Sequence, residues 1–413
     1  MEFREIATYF LESDPNLPFC VNSNDEFVLA KMKNQNYVYK LEYQQTNIQS
    51  MFNLMGEKLN ISDYIATNKF QKNDKTIIEH ADKIERDDLF LDQRLLPNCS
   101  QPYIQSIKSA FSPYDQNNVI LMACLNSFGS LEIMKCEMNI IEGIQWKKIV
   151  DLAEILNSSL KLNKLETIRN YNKLKRTINS ILFENFEWSN KVINSSLRYL
   201  VASTKSGAVL FFSIKNNPVT KQPEALLRLT ESIADYKISQ IKWVSTKQHH
   251  YLFIATINGC LLRYSILLEW DGKLKGIKLL SNTSGELELP VSNIIAQVQG
   301  ENVLIVCSKA HSMEAFYFEG QNVPARSCKK YIGMNITGAT SCGRLEYVFV
   351  SLDANLYYLN LTIDQVEIRV DTCTPINYLP SEIVLSNYGA YGIACSKNKA
   401  LFYIALHPRI VCF

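Results

Sequence analysis

One pattern recurs along the chain and restricts what it can fold into: a short apolar run, a polar turn, and a second apolar or aromatic run. The stretch VILMACLNSFGSLEIM, which begins at Val119, is one copy. Short runs rich in Val, Ile, Leu, Tyr and Phe, bounded by turn residues, predict the paired strands of a hairpin. Six further copies begin at Phe27, Tyr199, Tyr251, Val303, Tyr347 and Tyr391.

The spacing of the copies predicts the size of the repeating unit. From Tyr199 onward the copies start 52, 52, 44 and 44 residues apart, which is typical of four-stranded propeller blades. Further strand signals precede four copies, at Ile107, Ile238, Val291 and Ile336. We therefore predict an all-β fold, a seven-bladed WD-repeat-like β-propeller, as a single domain over residues 1–413. Strands from the two chain ends are expected to pair and close it.

Two segments are too long to be turns between blades. Residues 60–98, between the first two copies, are mixed in charge and partly helical in period. Residues 151–180, between the second and third copies, place apolar residues at helical spacing. We predict that both are rim insertions containing short helices that project from the propeller, where specificity is often found.

Composition and charge exclude several functional classes. Apolar residues make up 47% of the 413 residues and the net charge is +2, so no field over the whole molecule attracts nucleic acid or a membrane. The acidic start lacks the features of a secretory signal, and no apolar run reaches 18 residues. The 11 cysteines form no C-x-x-C pair. We expect a soluble intracellular protein with buried, reduced cysteines and no zinc or redox site.

Catalytic motifs are missing from the sequence. No two glycines are two positions apart, so there is no G-x-G phosphate loop, and there is no G-x-S-x-G elbow. We interpret His249 and His250 as part of a solvated turn before a strand, and Trp270-Asp271 as a turn between blade strands. The sequence predicts no catalytic, cofactor-binding or metal-ligating residue, no cofactor and no small-molecule substrate.

One segment carries a local cluster of positive charge against a single acid, Glu166. The favoured interpretation is a solvated helical face. The alternatives are contact with a partner protein and contact with DNA phosphates, which such a cluster can bind. The candidate contact residues are Lys161, Lys164, Arg169, Lys173, Lys175 and Arg176.

Several phrases resemble a known family. WKKIVDLAEIL from Trp146, then FEWSN and RYLVASTKSGAVLFFSI, are similar to the N-terminal propeller of the 90-kilodalton subunit of transcription factor IIIC. AFSPYDQNNVILMACLNSFGSLEI and the preceding DQRLLP fit the same family. The similarity covers most of residues 90 to 215 by local phrases and the rest only by the blade pattern.

The resemblance implies a nuclear scaffold subunit of the factor that recognises internal promoters of transfer RNA and 5S ribosomal RNA genes and recruits RNA polymerase III. Its expected partners are the other subunits of that factor, with RNA polymerase III or its initiation factor as further candidates. DNA contact is expected to be indirect or weak, and no membrane contact is expected. The longer members also carry a C-terminal zinc-binding region, which the residues up to Phe413 do not include.

Two alternatives remain open at this point. The family is also described as having histone acetyltransferase activity, so whether the chain is an enzyme is uncertain. The sequence offers no glycine-containing loop of the kind that binds the coenzyme pyrophosphate. A propeller adaptor in another cytoplasmic or nuclear assembly is the second alternative, because the same fold serves many functions.

Overall fold

The structure is a computed structural model. It describes residues 7–10, 21–23, 27–32, 35–46, 49–59, 106–113, 121–126, 129–139, 143–160, 171–194, 196–216, 223–233, 237–283, 289–321, 324–333, 335–353, 355–376, 390–395, 402–406 and 409–412. The predicted insertion at residues 60–98 lies outside the described residues.

The described strands form seven four-stranded antiparallel sheets, and the described residues also include two short helices. The helices are α1 (Leu152–Ser159) and α2 (Tyr171–Ile181). The strands are β1 (Ala7–Phe10), β2 (Val21–Ser23), β3 (Phe27–Met32), β4 (Gln35–Thr46), β5 (Gln49–Leu59), β6 (Ser106–Phe111), β7 (Leu121–Asn126), β8 (Leu131–Asn139), β9 (Gly143–Asp151), β10 (Phe183–Trp188), β11 (Arg198–Thr204), β12 (Ala208–Asn216), β13 (Pro223–Ser232), β14 (Ile238–Ser245), β15 (His250–Thr256), β16 (Leu261–Leu268), β17 (Leu274–Thr283), β18 (Asn293–Gln299), β19 (Asn302–Ser308), β20 (Ser312–Phe318), β21 (Pro324–Tyr331), β22 (Ile336–Ser341), β23 (Glu346–Ser351), β24 (Leu356–Ile363), β25 (Ile368–Ile376), β26 (Ala390–Cys395), β27 (Phe402–Leu406) and β28 (Arg409–Cys412).

Six of the sheets follow chain order. Their strand orders are β2-β3-β4-β5, β6-β7-β8-β9, β10-β11-β12-β13, β14-β15-β16-β17, β18-β19-β20-β21 and β22-β23-β24-β25. In each of them the predicted hairpin supplies the second and third strands. The strand signals at Ile107, Ile238, Val291 and Ile336 belong to the first strands β6, β14, β18 and β22. The all-β fold class is therefore confirmed.

The seventh sheet has the order β1-β28-β27-β26 and combines both chain ends. Ala7 pairs with Cys412 and Phe10 pairs with Arg409. This confirms the expected pairing of the two ends. The copy beginning at Tyr391 differs from the others, because its two runs form the first and second strands of the sheet, and β28 and β1 complete it.

Burial within a sheet explains why the central runs are continuously apolar. All seven residues of β11 are buried, whereas exposure alternates along the outer strand β13. A strand covered on both faces needs apolar residues at every position, and an outer strand with one solvated face needs them at every second position. The small side chains Ala123, Ala202 and Ala255 are fully buried in the second strands.

The chain divides into two compact units. One contains residues Lys33–Asn36 and Lys58–Lys237, and the other contains Met1–Met32, Tyr37–Glu57 and Ile238–Phe413. We call them the helical unit and the large unit. That the whole chain is one domain stays a prediction.

In the helical unit, the sheets β6–β9 and β10–β13 share one apolar cluster, which includes Leu121, Phe186 and Phe212. Several bonds link the sheets; among them, the Trp188 indole donates to the Ala110 carbonyl at 3.0 Å, and the Lys108 ammonium donates to the Asn185 side chain at 2.8 Å. The partners are far apart in sequence, so these contacts hold one sheet against the other.

Helix α1 packs on this core. Asp151 caps it by accepting a hydrogen bond from the Ala153 amide at 3.0 Å, and Leu152 and Leu156 are buried in the apolar cluster. The prediction of short helices in this segment is confirmed. Helix α1 does not project from the sheets as predicted. Its apolar residues recur at the spacing of one helical turn, so one face of the helix packs against the sheets.

Among its described residues, the large unit also has apolar clusters. One lies around Phe253, Ile305 and Phe318, and another around Tyr347 and Leu359. Within the described part of the chain, no helix is long and apolar enough to cross a membrane.

Candidate functional site

The turns of the large unit meet at one edge of its sheets. In an antiparallel meander successive strands alternate in direction, so the turn between the first two strands and the turn between the last two lie at the same edge. Hydrogen bonds between neighbouring sheets confirm this arrangement. We call it the cavity edge, and it comprises the described residues 246–249, 269–273, 300–301, 319–321, 342–345 and 364–367.

Side chains tie the turns of the cavity edge to one another. The Thr246 hydroxyl donates to the Glu301 carboxylate at 2.6 Å, and these residues lie in first turns of adjacent sheets. The Gln297 amide donates to the Gly343 carbonyl at 2.9 Å and to the Ser341 hydroxyl at 2.5 Å. These bonds fix the turns of adjacent sheets relative to one another.

A buried arginine supports the same edge from within. Arg263 is fully buried, and its guanidinium lies 4.1 Å from the centre of the Tyr251 ring and 4.7 Å from that of Phe318. It donates to the Gly320 carbonyl, which also accepts from the Tyr251 hydroxyl at 3.3 Å. Burial lowers the pKa of Arg263, and Tyr251 opposes that shift. A buried cation stacked on aromatic faces fixes the position of the Gly320 turn.

Two cavities lie at the cavity edge where sheet β18–β21 meets sheet β22–β25. Their volumes are about 700 Å³ and about 530 Å³. Both are lined by Gln299, Tyr317 and Arg344, so they share a wall. Together they form a polar recess, which we call the inter-sheet cavity.

Ion pairs neutralise most of the charge around the inter-sheet cavity. Arg326 bonds to Glu319 and to the Asp364 carbonyl, and its guanidinium lies 4.7 Å from the centre of the Tyr317 ring. The Asp364 carboxylate lies 3.7 Å from Arg369. Arg344 is exposed and forms no ion pair with any described residue. Of the two arginines that line the cavity, Arg344 is therefore the one without an ion-pair partner among the described residues.

Two neutral donors accompany this cation. The side-chain nitrogen of Gln299 is buried and has no hydrogen-bond partner among the described residues. The Tyr317 hydroxyl accepts from the Asn302 amide at 2.9 Å, which leaves its own proton for another acceptor. A buried donor without a protein partner is satisfied by water or by an acceptor of a ligand.

Exposed apolar side chains lie at turns of the same edge. Trp270 is 95% exposed between β16 and β17, and Val366 is 81% exposed between β24 and β25. The Asp271 side chain accepts from the Lys273 amide at 3.0 Å, so the predicted turn at Trp270-Asp271 is confirmed. Large exposed aromatic side chains are frequent anchors in protein interfaces.

Few of the predicted basic contact residues fall in the described structure. Lys161, Lys164 and Arg169 lie outside the described residues, and so does the side chain of Lys175. Lys173 and Arg176 are exposed on α2, three positions apart and thus on one side of the helix. The basic contact surface stays a prediction.

The two adjacent histidines have structural partners. His249 lies in the turn before β15, where its amide donates to the Thr246 hydroxyl at 2.9 Å, as the turn interpretation predicted. His250 begins β15 and its ring nitrogen Nδ1 is 2.7 Å from the Ser245 hydroxyl. Within the described ranges, no three His, Cys, Asp or Glu side chains are grouped as metal ligands.

The described cysteines are largely part of the packing. Cys124, Cys307 and Cys342 are buried, and Cys260, Cys328, Cys373 and Cys395 are half-buried. Burial raises the pKa of Cys124 and of Cys307 to about 12. Such thiols are poor nucleophiles at neutral pH.

Comparison with solved structures supports a WD40-like propeller. The C-terminal WD40 domain of Sif2 is similar with a TM-score of 0.48 and 10% sequence identity, over 100% of this chain and 97% of that chain. A chain of the mitotic checkpoint complex is similar with a TM-score of 0.50 and 8% identity, over 99% of this chain and 94% of that chain. Both are WD40 propeller domains. With the seven four-stranded sheets, the second similarity shows the fold: a WD40-like β-propeller. Neither a protein-family model nor a curated protein matches the sequence.

Proposed function

We propose that this protein is a scaffold that holds partner proteins on the cavity edge of a WD40-like propeller. The cavity edge carries the proposal: its turns are fixed by hydrogen bonds, and it presents Trp270, Val366 and Arg344 to solvent. A rigid surface with exposed aromatic and charged groups loses little conformational entropy when a partner binds. The WD40-like fold is compatible with this role but does not by itself define it.

As the particular assembly, we propose a nuclear transcription factor IIIC complex that supports RNA polymerase III transcription. The support is the resemblance in sequence, and the phrases that carry it fall on a continuous part of the helical unit. The parts of these phrases that the structure describes include the hairpin β7–β8, the junction of β9 with α1, and the strands β10 to β12. The long segment between β9 and β10 contains α1 and α2 in the same part of the chain.

Quantitative co-purification tests this proposal. The tagged chain, expressed at its normal level, is recovered from nuclear extract, and co-purifying proteins are measured by mass spectrometry. The other subunits of transcription factor IIIC are expected near one copy per chain. An equally tagged WD40 domain, such as that of Sif2, is the matched control.

Recovery of no such subunit above the control would refute the assembly. A cytoplasmic location with a different stable partner would favour the adaptor alternative. The family-implied acetyltransferase is tested separately by incubating the purified chain with histones and labelled acetyl-coenzyme A. Absence of labelling would remove it.

A further inference from the structure

We propose that the inter-sheet cavity binds one acidic side chain, an aspartate or glutamate, carried by a segment of a partner protein. This inference rests on the proposed scaffold role, because it names the chemistry by which the surface recognises a partner. The evidence is the unequal pairing of two arginines that line the same recess.

Arg326 is already committed to structure. It bridges two sheets of the large unit, since Glu319 follows β20 and Asp364 follows β24, and it lies over the Tyr317 ring. Its charge is compensated by Glu319. Arg326 therefore shapes the cavity wall and has little capacity left for a ligand.

Arg344 differs in each of these respects. It lies in the turn between β22 and β23, is exposed, and forms no ion pair with described residues. It lines both parts of the inter-sheet cavity. The turn that carries it is held by the bond from Gln297 to the Gly343 carbonyl, so the guanidinium projects from a fixed backbone. A planar guanidinium binds a carboxylate through two parallel hydrogen bonds.

The neutral donors favour an anion rather than a neutral group. The buried Gln299 nitrogen and the Tyr317 hydroxyl line the same recess as Arg344. A carboxylate accepts several hydrogen bonds and donates none, which matches a site made of donors. An incoming carboxylate would provide the acceptor that Gln299 lacks.

The charge balance favours a single carboxylate over a phosphate. Glu319 is paired with Arg326, whereas Arg369 is shared between Asp364 and Glu367, so an anion bound at Arg344 would have incompletely compensated acidic charge near it at Asp364. A phosphorylated side chain carries nearly two negative charges and would lie close to both acidic residues. A carboxylate carries one charge and is repelled less by these acidic residues.

The recess opens at an edge suited to a protein segment. Val298 contributes an exposed apolar side chain to the cavity wall, and Val366 is exposed in the turn beside Asp364 and Gln365. A peptide that inserts an acidic side chain could cover these groups with its neighbouring residues. We therefore expect apolar residues beside the acidic one.

Selection from a phage-displayed library of random dodecapeptides tests the inference. The full chain is the target, and phage that bind the Arg344→Gln variant are removed first. Recovered peptides are expected to share one Asp or Glu flanked by apolar residues. A synthetic copy should bind R344Q about tenfold more weakly, since a charge-assisted pair is lost. Replacing its acid by the amide should weaken binding to the original chain to a similar degree.

The matched control is Lys278→Gln, which removes one exposed positive charge from the outer strand β17. K278Q is expected to bind the peptide unchanged, and Arg344→Lys should retain part of the affinity. Equal thermal melting of R344Q and the original chain would show that folding is intact. A copy with phosphoserine in place of the acid should bind more weakly.

Three results would overturn the inference: no enriched peptide, equal binding to R344Q and the original chain, or tighter binding of the phosphoserine copy. The selection uses no nuclear extract, so its failure is separable from failure of co-purification. Partners recovered from extract together with a failed selection would reject the cavity assignment alone and leave the scaffold role standing.

Discussion

Replacing Gly129 by alanine tests how the hairpin between β7 and β8 fits into the helical unit. Gly129 has φ +73°, and its carbonyl accepts from the Phe183 amide at 2.9 Å, which joins this turn to the start of β10. A Cβ atom there would lie 3.0 Å from the Cβ of Leu182 and 3.1 Å from the Phe183 nitrogen. The substitution therefore meets both a backbone cost and a steric cost.

The two costs have known sizes. The left-handed conformation costs an alanine about 1–2 kcal/mol, and overpacking a filled site costs about 1–3 kcal/mol. The expected loss for Gly129→Ala is their sum, about 2–5 kcal/mol. Gly300→Ala separates the backbone cost from the steric cost. Gly300 also has a positive φ, +66°, but a Cβ atom added there would meet no heavy atom within 4 Å. Its expected loss is about 1–2 kcal/mol.

Hydrogen exchange measures both losses locally, which suits a chain with two compact units. Amides of β7 and β8 report on G129A, and amides of β18 and β19 report on G300A. We expect the free energy of opening to fall more in G129A than in G300A, and the difference should equal the steric cost at position 129. Equal losses in the two variants would show that contact with Leu182 and Phe183 does not restrict position 129.

Further expectations concern buried ionisable groups. Lys148 contacts the buried carboxylate of Glu132 and lies 3.3 Å from Asp151. Lys148→Met should lower the free energy of unfolding of the helical unit by about 3 kcal/mol, and the double variant E132Q/K148M should recover most of it. No recovery in a double-mutant cycle would contradict this. Burial already raises the pKa of Glu132. Between the pKa of Glu132 in the unfolded state and its pKa in the folded state, the folded protein therefore binds more protons. The loss of unfolding free energy caused by K148M should then shrink as pH falls from 7 to 5. Urea unfolding at both pH values measures this, and an unchanged loss would refute it. Finally, Cys124 and Cys307 should resist iodoacetamide at pH 8 in the folded protein and react in urea, as mass spectrometry of labelled peptides can show. Labelling of either thiol without urea would contradict their burial.

Local sequence was sufficient for the repeating elements. Hairpins could be predicted because strand pairing between neighbours in sequence depends on run length and turn residues, both visible in a stretch such as 119–134. The alternation in β13 and the continuous apolar run in β11 likewise follow from the period of a strand. Helix α1 was predicted for the same reason, from apolar residues spaced one turn apart.

Packing between sheets decided the rest. The copy at Tyr391 looks like its relatives, yet it begins its sheet, because β28 and β1 occupy the remaining positions. Helix α1 lies on the core because the apolar cluster of two sheets accepts Leu152 and Leu156. A pattern of apolar residues shows that a face is buried but does not show what covers it.

The candidate site shows most clearly which features local sequence predicts and which ones packing between sheets decides. The sequence alone determined that the chain forms repeated antiparallel sheets with polar turns, since that depends on contacts between residues close together in the chain. The sequence held no signal for the inter-sheet cavity. Gln299 lies in β18, Tyr317 in β20 and Arg344 in the turn between β22 and β23, and only packing brings them together. Whether an arginine is paired, as Arg326 is, or left for a partner, as we propose for Arg344, depends on which carboxylates the neighbouring sheets bring within reach. Only the tertiary structure sets those distances, because electrostatic attraction acts through space and not along the chain.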